Sequence, residues 1–278
     1  MQPCDAKMSS SGTRYWRSGV GAPVVLIHGV GLDATMWQAQ VDALADHYDV
    51  IAYDMLGHGE SPLPKEDASL DDYADQLCAL MDELEIAQAT VIGFSMGGLV
   101  ARAFALRHLE RLRAMGVLSS VFNRNEQQRS GVQQRLSQTR EQGPSANVEG
   151  ALERWFSPAF RAAYPDRIAA IRDCVTQNHP DGYYRSYALF GTQDRFGAND
   201  LSSINVPVLV ATGELDPGST PHMAKELARN LPNAHVHILA GQRHMAPLEA
   251  ADEVNRLLLG FLDKVHYPST QEQEETLG

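Results

Sequence analysis

Residues 89–108 read ATVIGFSMGGLVARAFALRH, and no loop separates the strand-forming run ATVIGF from the helical pattern that follows Ser95. A buried strand can turn straight into a helix only through a bend so tight that its flanking side chains must be small. Gly93 and Gly97 meet that demand, and Gly98 relieves crowding further. The pattern G-x-S-x-G therefore calls for a strand, a strained residue at the tip and a helix, with the Ser95 hydroxyl at the edge of a sheet. A glycine-rich turn with an incidental serine would match the same five letters. The strand before it and the helix after it set the two readings apart.

The rest of the chain repeats that alternation. Strand-like runs occur at 23–28, 48–54, 89–94, 114–119, 206–213 and 234–240, and several are apolar on both faces, as strands covered on both sides must be. Helical patterns lie between them at about 35–46, 70–85, 96–108, 220–230 and 247–265. The clearest is 70–85, where Ser69 can cap, Asp72 follows three residues on, and Leu70, Tyr73, Ala74, Leu77, Leu80, Met81 and Leu84 share one face. The order predicts an α/β fold with a mostly parallel central sheet and helices on both faces.

Residues 122–200 break the rhythm with helical patterns cut by QGPSAN, FSPAF, AYPD and NHPDGYY and no convincing strand, which predicts a helical cap inserted into a core of residues 1–121 and 201–265. That segment holds ten Arg and no Lys against nine acidic residues, and ten of the twenty aromatics. A thin subdomain needs large side chains to fill it, so most of these are expected to pack or solvate, while a minority line a pocket between cap and sheet. The polar, acidic tail 266–278 is expected to be disordered.

Composition narrows the partners. Lys and Arg total 23 against 35 acidic residues, a net charge of −12, which argues against gripping nucleic acid or an anionic membrane and leaves a small molecule as the expected partner. Cys4, Cys78 and Cys174 are odd in number and widely spaced, so neither a disulfide framework nor a metal or redox motif is legible. With no signal-like segment and no apolar run of about 20 residues, a cytoplasmic protein is expected. A homo-oligomer remains compatible with the sequence.

A neutral serine hydroxyl is a poor nucleophile, so Ser95 needs a base within reach and a group that holds that base in the right tautomer. His244 follows the last predicted strand and precedes the last helix, which projects it from the same sheet edge. His235 and His237 alternate within that strand, where packing on the sheet face is the expected role. Asp216, in ATGELDPGSTP, is the preferred orienting acid over Glu214, and the loop after 114–119 offers no carboxylate. Asp54 is expected to bind loop N–H groups, and His28 to shape its loop. The N–H of Met96, at the start of the helix, and that of Val30, in HGVG, are the candidate donors to an oxyanion.

The motifs LIHGVGLDATMW, YDMLGHGES, GFSMGG, VATGELD and GQRHMAPLEAADEVNRLLLGFL stand in the order of the α/β-hydrolase superfamily, which the chain resembles from about residue 12 to 265. Within it, the chain is most similar to small carboxylesterases and 3-oxoadipate enol-lactonase-like hydrolases. That resemblance implies cofactor-free, metal-free hydrolysis of an ester or lactone through an acyl-enzyme on Ser95, with His244 and Asp216 completing the triad. Alternatives on the same scaffold are a carbon–carbon bond or enamide hydrolase of a ring-degradation pathway and a receptor-like ligand binder with little turnover. The carbon–carbon hydrolases usually carry HGSGPGA where this chain has HGVGLDA. The cap's arginines suggest a substrate carboxylate held by Arg124 or Arg185, with Trp155 and Tyr187 as apolar wall.

Overall fold

The computed structural model describes residues 5–267. Eight strands form one sheet: β1 (Lys7–Met8), β2 (Arg14–Ser18), β3 (Ala22–Ile27), β4 (Tyr48–Tyr53), β5 (Ala89–Phe94), β6 (Leu112–Leu118), β7 (Val208–Gly213) and β8 (Ala234–Leu239). Their spatial order is β1-β2-β4-β3-β5-β6-β7-β8. Pairing is antiparallel for β1 with β2 and β2 with β4, and parallel from there to β8. The α/β-hydrolase fold expected from the motifs is the observed one. Strands β4, β5 and β7 are buried along their whole length, which is why their sequences lack the polar alternation of a half-exposed strand.

Strands β1 and β2 have no counterpart among the expected elements. The sequence RYWRS of β2 buries the adjacent Tyr15 and Trp16 and exposes Arg17 and Ser18, so it shows no period of two. Its anchor is long-range: the Arg17 guanidinium donates to both carboxylate oxygens of Asp49 on β4, at 2.9 and 2.7 Å. At the other edge, His235 and His237 of β8 are exposed rather than packed on the sheet face, a correction that follows from β8 being the last strand.

Helices α1 (Gln38–Leu44), α2 (Leu70–Glu83), α3 (Met96–Arg107), α9 (Pro221–Arg229), α10 (Ala246–Glu249) and α11 (Ala251–His266) flank the sheet. The expected helix 247–265 is divided at Ala250 into α10 and α11. It also runs on through His266, so one residue assigned to the tail is helical, while 268–278 lie outside the described residues. Between β6 and β7 come five helices: α4 (Glu126–Gln142), α5 (Val148–Trp155), α6 (Pro158–Ala163), α7 (Pro165–Thr176) and α8 (Pro180–Thr192). Three of these, α6, α7 and α8, begin at a proline, which explains how the segment turns so often in so few residues.

Helix α2 illustrates how local chemistry sets an element's start. The Asp72 carboxylate accepts from the Ser69 backbone N–H at 2.8 Å and from its hydroxyl at 3.0 Å, tying the first turn to the residue before it. Asp72→Ala should lower the stability of the protein by about 0.5–1 kcal/mol in urea titrations; an unchanged midpoint would show that tertiary packing alone holds this end.

Candidate active site

Parallel strands bring their carboxyl ends to one edge of the sheet, and the crevice opens where the chain's winding direction reverses, here between β3 and β5. The loops after β3, β5, β7 and β8 meet at that edge. Ser95 follows β5 directly, with φ 53° and ψ −112°, a left-handed conformation that costs a non-glycine residue roughly 1–3 kcal/mol. It is held there by the end of β6: the Ser95 N–H donates to the Leu118 carbonyl at 2.8 Å, and the Ser120 hydroxyl donates to the Ser95 carbonyl at 2.7 Å.

The glycines do what the sequence asked of them. A Cβ on Gly93 would lie 2.0 Å from the Gly97 carbonyl oxygen, and one on Gly97 would lie 2.3 Å from that of Ile27. Neither contact is tolerable, so α3 can pack this closely on β3 and β5 only with glycine at both positions.

Three side chains expected to converge do so. The Ser95 Oγ lies 3.2 Å from His244 Nε2, and His244 Nδ1 lies 2.7 Å from Asp216 Oδ2. The other oxygen of Asp216 accepts the N–H groups of Gly218 and Ser219, each at 2.9 Å, which fixes the carboxylate plane. All three residues are buried. Glu214, the neighbouring acid, is exposed and accepts the Gly241 N–H instead. With Nδ1–H donated to Asp216, Nε2 is left free to accept the serine proton.

His244 sits between two aromatic rings, Phe94 at 5.0 Å and Trp155 at 6.2 Å, the second nearly parallel with 27° between planes. Trp155 ends α5, and its carbonyl accepts the N–H of Met245 at 3.0 Å. The segment after β6 thus holds the imidazole from above.

Two buried histidines shape the loop that carries Val30. His28 Nε2 accepts the Met55 N–H at 2.9 Å while its Nδ1–H donates to the Gly29 carbonyl. His58 Nε2 accepts the Gly31 N–H at 3.0 Å while its Nδ1–H donates to the Leu56 carbonyl. Burial holds His28 down to about 4 and, with help from neighbouring His28, His58 to about 3. Asp54 accepts the N–H groups of Ala34 and Glu60, at 2.9 and 3.4 Å, so it braces two loops as expected; burial pushes its carboxyl up to about 7. Val30 lines the cleft with Ser95, and Met96 opens α3 beside it.

The cleft is also lined by Arg135, Arg154, Trp155, Tyr183 and Tyr187. A second cavity lies between α1 and α7, but it holds no hydroxyl–imidazole pair, and burial raises the pKa of its Cys174 thiol, which disfavours the thiolate. Trp155 and Tyr187 stand where the sequence put them. Arg124 and Arg185 do not. Arg124 is buried away from the cleft, its Nη1 donating to the Phe190 carbonyl at 2.9 Å and lying 3.8 Å from Asp194. Arg185 donates to the Pro64 carbonyl at 2.6 Å. The arginines that line the cleft are Arg135 and Arg154, and helical spacing does not single them out: they lie three residues after buried Val132 and Ala151, but Arg185 likewise lies three after buried Gly182.

Among the described residues, no group of three or more His, Cys, Asp or Glu side chains could hold a metal ion, and no helix is long and apolar enough to cross a membrane.

Residues 22–251 match the family model described as the alpha/beta hydrolase fold. The chain is 32% identical to (E)-2-((N-methylformamido)methylene)succinate hydrolase of Acinetobacter baylyi, over 90% of this chain and 93% of that one. An enol-lactonase structure from Burkholderia xenovorans is similar with a TM-score of 0.84 and 30% identity, covering 90% of this chain and 97% of the other. A thermophilic esterase from Thermogutta terrifontis, solved with malate bound, also reaches a TM-score of 0.84, at 27% identity over 93% of this chain and 96% of that one.

Two outcomes follow from the geometry. Gly97→Ala should cost roughly 2 kcal/mol or more in urea unfolding; a variant as stable as the parent would contradict the close approach of α3. The buried histidines have folded values below the 6.5 of a free imidazole, so their contribution to stability is full above pH 6.5 and is lost as pH falls through about 4 and 3. Asp54 acts oppositely, its contribution being full below pH 3.8 and lost as pH rises to about 7. Side-chain NMR titration should find both imidazoles neutral at pH 5 and Asp54 half-protonated near pH 7, and ordinary values for these groups would refute the burial that shifts them.

Proposed function

As the chain belongs to the α/β-hydrolase family, we propose that it is a serine hydrolase cleaving a carboxylic ester or (enol-)lactone of a small organic acid through an acyl-enzyme. The observation that carries this reading is the unbroken series of hydrogen bonds from Asp216 through His244 to Ser95. In the first half-reaction Ser95 Oγ attacks the carbonyl carbon while His244 Nε2 takes its proton. Asp216 holds the imidazole in the required tautomer and stabilises the imidazolium. The negative charge that develops on the carbonyl oxygen is met by the N–H groups of Val30 and Met96. Collapse of this adduct expels the alkoxide or enolate, which takes the proton back from His244. Water then repeats the sequence on the acyl-enzyme and frees Ser95.

A second reading has an observation of its own. In (E)-2-((N-methylformamido)methylene)succinate, the compound the Acinetobacter baylyi relative is named for hydrolysing, a formyl group sits on a nitrogen that also bears a vinylic carbon. The same three side chains would serve an enamide, with His244 protonating the departing group. The relative is named for a succinate derivative and the esterase was solved with malate bound, which supports an acidic small-molecule substrate here.

Ser95→Ala should lower kcat on p-nitrophenyl acetate by about 10⁴-fold or more, and Asp216→Asn by a comparable factor. No turnover by the parent protein on a panel of aryl esters, lactones and N-acyl enamides would favour a ligand-binding role instead. The panel also orders the two hydrolytic readings by kcat/KM.

A further inference from the structure

Of the cap arginines, several have carboxylates: Arg124 and Arg129 share Asp194, and Arg172 pairs with Glu149. Arg135 and Arg154 line the cleft with Ser95 and His244, and among the described residues neither has an ion pair. Arg135 is braced through Nε, which donates to the Tyr187 hydroxyl at 3.1 Å, leaving the outer nitrogens of its fork for another acceptor. Asn147, from the turn before α5, donates to the Arg135 carbonyl at 3.0 Å and fixes the backbone beneath it.

The pair is electrostatically uncomfortable. Arg154 is half-buried, and its guanidinium is held below its ordinary value first by burial and then by the positive charge of Arg135; exposed Glu153 opposes this less than Arg135 contributes. The lining carboxylate of Asp216 is already committed to His244, Gly218 and Ser219. Two like charges in a partly dehydrated cleft repel one another, and a ligand that brings one negative charge for each would relieve both the repulsion and the lost hydration. A monoanion satisfies only one fork. Each guanidinium can offer a carboxylate two parallel N–H donors.

We propose that Arg135 and Arg154 form a paired carboxylate subsite, so that the substrate cleaved at Ser95 is a derivative of a short dicarboxylic acid whose two carboxylates remain free beside the scissile acyl group. This deepens the hydrolase reading and rests on the cleft being its substrate site. The subsite belongs to α4 and α5, whereas the reacting side chains belong to the sheet edge. Substrate choice and bond cleavage are therefore carried by different parts of the chain.

The test uses one carbon skeleton with graded charge. Succinate, monomethyl succinate and dimethyl succinate are titrated calorimetrically into the full chain carrying Ser95→Ala, which removes the nucleophile and prevents turnover of the esters. Affinity should fall about tenfold or more with each carboxylate capped, the range expected for loss of a charge-assisted hydrogen-bonded pair. Adding Arg135→Gln or Arg154→Gln, each verified as folded by its melting curve, should weaken succinate by about tenfold or more and bring its affinity to that of the monoester. Equal affinity for succinate and monomethyl succinate, or undiminished succinate binding in both arginine variants, would overturn the proposal. The charge series on the Ser95→Ala chain decides the matter even if an arginine variant does not fold. Charge-graded binding without hydrolysis by the parent would sink the hydrolase reading and leave the subsite standing, and hydrolysis without charge grading would do the reverse.

Discussion

The backbone of Ser95 is the constraint on which the arrangement depends. Its positive φ is unfavourable in isolation, and the energy that maintains it comes from elsewhere: two hydrogen bonds from the end of β6 and the glycine contacts that seat α3 against β3 and β5. Because the strained residue is fixed by three neighbouring strands, its hydroxyl has little freedom to drift from His244. The acid, base and hydroxyl each sit just beyond the carboxyl end of a different strand, so the register of the parallel sheet sets their separation.

Legibility followed the range of the interactions involved. The elbow, the α2 cap and the buried strands could be read because their determinants lie within a few residues of one another. Strand β2 could not, since what holds RYWRS is a pair between residues 32 positions apart, Arg17 and Asp49, and an antiparallel edge on β4. The convergence of Ser95, Asp216 and His244 was legible only because strand order and motif order together put three loops on one edge. The division of the last helix at Ala250 has no comparable signal, as AADEV reads as uninterrupted helix.

The arginines show where both residue type and periodicity mislead. Charge and position point to Arg124 and Arg185, yet Arg124 precedes α4 and is consumed by Asp194 and two carbonyls, while Arg185, three residues after buried Gly182 of α8, turns toward Pro64. Arg135 and Arg154 each lie one helical step from buried residues of their own helix, as Arg185 does, and what separates them is that they line the cleft. A charged residue on the inward stripe of a helix is unusual enough to carry meaning, because burying it without a partner is costly.

The contact of Trp155 with the imidazole joins two things that most clefts keep separate. The wall that roofs the cavity is also one of the two surfaces that keep His244 in place, and the Met245–Trp155 hydrogen bond ties the roof to the very loop that carries the base. Swinging α5 aside to admit a bulky guest would loosen the imidazole at the same moment. The position of the imidazole and the position of the cleft wall are thus one structural property rather than two.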